Sequence, residues 1–388
     1  MSEIGSGPLL KEKIPLSQSA AWSAQIRAMQ AGDASGDWLD PAAKSEANNP
    51  DLIKTYPVRE NLPVRVFIPS SFNTSSAATL PTLFTIHGGG FCLGKAEYDD
   101  AWNRAFADTH SILVIALNYS KAPTYPFPVG LDDLAALYLA ALDDSSLPID
   151  KTDGGQIAVG GFSAGGNLAL ALAQVLTRPE KRGLPPVSCP PKAVISVYGA
   201  LDFSRAPADK VASRHYKPDL SVPRNADTDM LLKMGPLFDW CYLPDEQDLR
   251  DPLVSPGPYA KSDDLPPHVY IIASELDMLA GDSFNCVTRL AQSRGSLKDD
   301  TTVASTPCGR PEPGKHGELE LNDKRFAWQE TSKKGSVNWL LVPDVLHGFD
   351  NLVGRLRSGG EETLKDAELK TTAYCKILAE WLHSTVFK

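Results

Sequence analysis

The strongest chemical signal in the chain is the stretch Gly160-Gly161-Phe162-Ser163-Ala164-Gly165-Gly166. Within it, Gly161-x-Ser163-x-Gly165 has the spacing of a nucleophile elbow. The apolar run at 156–160 precedes it and a small-residue stretch at 164–177 follows, which supplies the strand–turn–helix setting the pattern needs. A serine held on so sharp a turn requires neighbours without Cβ atoms. The helix behind it points free N–H groups toward developing negative charge. The bland alternative is a tight turn with no chemistry.

A second glycine cluster, His87-Gly88-Gly89-Gly90-Phe91, ends the apolar run at 80–87. Consecutive glycines let the backbone approach a substrate and aim its N–H groups. Donors from Gly88 and Gly89, joined by the N–H of Ala164, would form an oxyanion hole. One such donor is worth roughly 3–4 kcal/mol of transition-state stabilisation. A flexible glycine loop is the alternative. A phosphate loop is disfavoured, because no Gly-Lys-Ser/Thr follows and no GxGxxG frame fits.

The nucleophile needs a base, and the base an acid. Asp277 lies just past the apolar run at 268–273, and His347 just past the run at 337–342. The order Ser…Asp…His is that of the α/β-hydrolases, and all three sit where open α/β sheets place their sites. Asp282, Asp344, Asp350 and Glu275 compete for the acid's role, and Asp277 is preferred for its strand-end position. His87 leads the glycine loop and is expected to brace it. The other histidines lack a strand-end position. No HExxH and no paired His/Cys spacing suggests zinc, so neither metal nor other cofactor is expected.

Runs at 62–68, 80–87, 111–119, 156–160, 193–198, 268–273 and 337–342 read as strands. The later ones are almost continuously apolar, as strands buried on both faces of a parallel sheet must be. Helical stretches at 131–142, 164–177, 281–294 and 361–383 alternate with them, which argues for a doubly wound α/β architecture. An earlier helix is expected at 16–30, capped by Ser17 or Ser19 and ended by Gly32, with Trp22, Ile26 and Met29 on one apolar face. Two segments break the alternation. Residues 201–258 are rich in proline, charge and aromatics. Residues 295–335 are polar, with short strands expected at 318–321 and 325–329. Loops this long are usually functional insertions or disordered.

The chain has 388 residues, 42% hydrophobic and 22% charged, with a net charge of −10. That length buries a sizeable core, and the composition excludes a wholly disordered chain. No basic tract is present, so nucleic acid is not an expected partner. No apolar run is long enough for a membrane span, and the N-terminal residues lack the apolar core of a signal peptide. The 6 cysteines form no short pair and read as reduced thiols. A cytoplasmic protein without stable membrane insertion is expected. Its oligomeric state is left open, a homodimer included.

Taken together, the motifs resemble those of the hormone-sensitive-lipase-like carboxylesterases, a family of α/β-hydrolases. HGGGF at 87–91, GFSAGG at 161–166, DML at 277–279 and HGF at 347–349 occur in the family's order. The stretch Asn118-Tyr119-Ser120-Lys121-Ala122-Pro123, followed by Tyr125-Pro126-Phe127-Pro128, is similar to the family's YRLAPE…PFP. The likeness runs from about residue 80 to the C-terminus, minus the polar insertion. Three positions depart from the pattern: Phe162 replaces the usual Asp, and Ser120 and Thr124 replace Arg and Glu. The resemblance implies one α/β-hydrolase domain over 1–388 with an eight-stranded sheet. It also implies a cap built from about 1–50 and 201–258.

The implied reaction is ester hydrolysis through a Ser163-His347-Asp277 triad, with a small-molecule ester as partner. Phe91, Phe162, Trp22, Met29, Tyr216 and Trp240 are candidates for substrate contact. Singly, each is better explained by packing than by ligand contact. An acetylated or lactone-bearing compound of secondary metabolism would suit such a site. The same groups could serve acyl transfer, lactone chemistry or elimination. A non-catalytic small-ligand receptor is a further alternative, against which His347 stands in its motif.

Overall fold

A computed structural model describes residues 8–35, 45–73, 78–226, 229–295, 308–351 and 359–388. Nine strands form one sheet: β1 (Leu52–Lys54), β2 (Val64–Phe67), β3 (Thr82–Ile86), β4 (Leu113–Leu117), β5 (Ile157–Phe162), β6 (Ala193–Val197), β7 (His268–Ser274), β8 (Ala327–Ser332) and β9 (Gly335–Val342). Their order is β1-β2-β4-β3-β5-β6-β7-β9-β8. The six central strands are parallel, and β1, β2 and β8 pair antiparallel.

Every residue of β3, β4, β5 and β6 is buried, which explains their unbroken apolar runs. Alternate residues feed two cores. Phe84, Ile115 and Val159 face α3 (Val129–Asp143) and α4 (Ala164–Thr177), while Leu83, Val114 and Ile195 join the core of α2 (Asp100–His110) and α9 (Glu361–Trp381). The remaining α-helices among the described residues are α1 (Leu16–Ser35), α5 (Pro207–Ala212), α6 (Met230–Tyr242), α7 (Pro256–Tyr259) and α8 (Ala280–Ser293).

Several expectations need correction. The sheet has nine strands rather than eight, because the polar insertion folds back as β8 along β9 and becomes the sheet's edge. Of its two expected strands, 325–329 is realised two residues later as β8, and 318–321 is turn and coil. Residues 296–307 of the insertion lie outside the described residues. Helix α1 starts at Leu16, so Ser17 and Ser19 do not cap it. The Ser19 hydroxyl instead donates back to the Leu16 carbonyl at 2.9 Å. Gly32 does not end the helix either. Asp33, one residue on, accepts from Gly94 N–H at 3.0 Å and from the Tyr98 hydroxyl at 2.6 Å, which anchors the last turn. Ile26 is fully buried, and Trp22 packs 5.8 Å from Trp240 of α6, so α1 touches the 201–258 segment.

Candidate active site

Ser163 caps α4 directly after β5 with φ 55 and ψ −117, a backbone conformation that side chains rarely adopt. Close packing holds it there. A Cβ on Gly161 would lie 2.1 Å from the Gly165 carbonyl oxygen, and one on Gly165 would lie 2.1 Å from that of Ile86. The Ser163 N–H donates to the Val197 carbonyl of the neighbouring strand at 2.9 Å.

Three strand ends bring Ser163, Asp277 and His347 together. His347 Nε2 is 2.8 Å from Ser163 Oγ, and His347 Nδ1 is 2.6 Å from Asp277 Oδ2. The other Asp277 oxygen accepts the Leu279 N–H at 2.9 Å. Burial alone would lower the His347 pKa. The Asp277 carboxylate and its hydrogen bond outweigh that, helped by Asp229 and Asp350, and the net shift is upward. The Tyr198 ring meets the imidazole edge-on at 4.9 Å.

The rival acids are engaged elsewhere. Asp282 pairs with Arg205 at 2.6 Å and Lys210 at 3.4 Å. Glu275 and Asp344 each take Lys217 Nζ at 2.6 Å. Asp350 accepts the hydroxyls of Tyr198 and Tyr374.

The glycine loop lies against Ser163: a Cβ on Gly88 would sit 3.2 Å from Ser163 Cβ. Gly89 has φ +116, and a side chain there would collide with the Leu93 carbonyl. Among the described residues, the N–H groups of Gly88, Gly89 and Ala164 have no partner within the protein, which leaves them available to an oxyanion. His87 stacks on Tyr119 at 4.5 Å and its Nδ1 meets the Gly88 carbonyl at 2.6 Å. Burial, with Lys121 nearby, holds His87 well below its ordinary pKa, so it is neutral and braces the loop. Burial likewise brings Lys121 down to about 7.

The substrate candidates scatter. Phe91 is buried and stacks on Tyr242 at 3.7 Å. Met29 packs partly buried against the same core. Tyr216 is half exposed. Phe162 departs from expectation: it points into the opposite core, edge-on to Trp102 at 5.0 Å, and supports the elbow from beneath.

Sequence reading missed Phe238, whose ring fills the space beside Gly90, with Cδ2 2.5 Å from where a Cβ would stand. It also missed Arg214, Lys217 and Asp229, which had no motif around them to mark them. No cluster of three metal-binding side chains occurs among the described residues. No described helix is long and apolar enough to cross a membrane.

A family model described as alpha/beta hydrolase fold matches residues 83–301, more than half of the chain. Arylacetamide deacetylase of Bos taurus is 40% identical over 118 residues, 30% of this chain and 29% of the relative. The match therefore spans less than a third of that protein's length. An arylesterase of Saccharolobus solfataricus is 31% identical over 233 residues, 60% of this chain and 67% of the relative. An esterase of Pyrobaculum calidifontis superposes with a TM-score of 0.59 at 20% identity, covering 92% of each chain, a likeness of fold. The chain belongs to the α/β-hydrolase fold family, as its resemblance to the hormone-sensitive-lipase-like group implied.

Proposed function

We propose that the chain hydrolyses carboxylic esters of small to medium apolar compounds, as a carboxylesterase or deacetylase, through an acyl-enzyme on Ser163. The observation that carries this reading is the unbroken line of hydrogen bonds from Asp277 through His347 to a serine on a strained elbow. Ser163 Oγ attacks the ester carbonyl while His347 Nε2 takes its proton. Asp277 holds the imidazole tautomer and stabilises the imidazolium. The N–H groups of Gly88, Gly89 and Ala164 receive the oxyanion. His347 then protonates the leaving alkoxide, and water, deprotonated by the same imidazole, releases the acid. Hydrolysis of acetyl and aryl esters is consistent with the names of the relatives.

The aromatic residues around the glycine loop, Phe91, Phe238 and Tyr242, favour an apolar substrate group. None of the six cysteines is in a disulfide, which suits a reducing, cytoplasmic setting. The intact triad speaks against a receptor that only binds. The test is turnover of p-nitrophenyl esters from acetate to long acyl chains, with Ser163→Ala as control. Turnover of the short esters that disappears in the variant is expected. Full activity in Ser163→Ala would sink the assignment.

A further inference from the structure

The triad acid is gripped on both sides by the cap. On one side, the carbonyl of Leu276, the residue before Asp277, accepts Arg214 Nε at 2.8 Å. On the other, the N–H of Met278, the residue after it, donates to Asp229 Oδ2 at 2.9 Å. Arg214 and Asp229 in turn form an ion pair at 3.5 Å, with side chains only 3% and 6% exposed. Both belong to the 201–258 segment, far in sequence from the loop they touch. Asp229 has a second task. Its Oδ1 accepts the Leu231 N–H at 2.8 Å, so it is the N-cap of α6. Two turns along that helix, Phe238 lies against Gly90 of the oxyanion loop. The same helix thus touches the acid loop at its start and the oxyanion loop at its middle.

We propose that Arg214 and Asp229 are positioning residues: a clamp through which the seated cap sets the place of Asp277 and adds negative charge beside the Asp277–His347 pair. The inference rests on the triad reading above. Three carboxylates face His347: Asp277 from the loop after β7, Asp229 from the cap and Asp350 from its own loop. From the end of β6 comes the Tyr198 ring, and from the elbow Ser163. Arg214 is the cation beside Asp229. Burial and the nearby Asp277 raise the Asp229 pKa, and the Leu231 and Met278 N–H groups oppose that rise. Removing its charge while keeping its shape therefore separates an electrostatic and positioning role from mere packing.

The experiment is the pH dependence of kcat/KM and kcat for p-nitrophenyl acetate in the full chain and in Asp229→Asn, with Ser163→Ala alongside. We expect kcat of Asp229→Asn to fall roughly tenfold with KM little changed, since a small displacement of an orienting group is costly. The acidic limb should move about half a unit toward lower pH, because His347 loses a neighbouring negative charge. A kcat and an acidic limb equal to the parent's would overturn the clamp. Should Asp229→Asn fail to fold, Arg214→Lys keeps the cation but loses the Nε donor to Leu276. It should lower kcat with the limb unmoved, and an unchanged kcat would overturn the clamp. Turnover persisting in Ser163→Ala would instead defeat the triad reading. An inactive Ser163→Ala beside an unaltered Asp229→Asn would defeat the clamp alone.

Discussion

The two halves of the candidate active site are held by different physics. On the nucleophile side, Ser163 and the glycine loop are placed by backbone packed on backbone, with Gly161 and Gly165 admitting no Cβ. On the acid–base side, the loops carrying Asp277 and His347 are held by buried ions. Lys217, fully buried, bridges Glu275 and Asp344 at 2.6 Å each. Lys370, equally buried, reaches Asp366 at 3.0 Å and the Pro343 carbonyl at 3.0 Å. The polar insertion closes the cluster. Arg310 N–H donates to Glu275 at 2.9 Å, Gly314 N–H to Asp344 at 2.7 Å and Gly317 N–H to Asp366 at 2.6 Å. One side joins two glycine-rich motifs through backbone contact and tolerates no added atom. The other is built from distant segments and tolerates no lost charge.

The sharpest break should come on the nucleophile side. Ser163→Ala is expected to cost about 10⁴–10⁶ in kcat with the fold intact, measured on p-nitrophenyl acetate. Gly165→Ala should cost about 3–5 kcal/mol of stability, because its Cβ meets fixed backbone. Urea denaturation measures this.

Lys217→Met leaves buried Glu275 without its cation and Asp344 with only Lys370 at 3.8 Å, and should cost a similar amount, about 3–5 kcal/mol. The double variant Lys217→Met/Glu275→Gln should recover part of that loss, whereas no second polar substitution should recover Gly165→Ala. Equal rescue of both would erase the distinction between the two sides.

The smallest effect is electrostatic. In the proposed mechanism His347 works as a neutral base, and its pKa lies above the ordinary histidine value, so kcat/KM should fall as pH drops through that raised value. Asp350→Asn removes one contributing charge, lowers the His347 pKa and should shift the limb modestly toward acid. A limb moving toward alkali would contradict the placement of that carboxylate.

The same contrast explains what could be read from sequence. Elbow, glycine loop and strand-end acid and base are local patterns, because steric demand acts on adjacent residues. Ser163, His347 and Asp277, each marked by such a pattern, lie in line within hydrogen-bond reach. The central strands were legible because burial on both faces demands unbroken apolar runs. The supports of the acid–base side were not. Asp229 meets Met278 across 49 residues, and Lys217 meets Asp344 across 127. A lone lysine in a charged loop looks solvated until its partners are known. Phe162 was misplaced for a related reason, since the motif fixes its position in the chain but the side of the sheet decides what it touches. Strand β8 emerged from a polar segment because an edge strand needs only one covered face.

Trapping the covalent intermediate tests the central claim most directly. After brief exposure to p-nitrophenyl acetate and an acid quench, peptide mass spectrometry should find one acetyl group, on Ser163, absent from Ser163→Ala. Acetylation at another residue that keeps pace with turnover, or turnover with Ser163 never modified, would contradict the account.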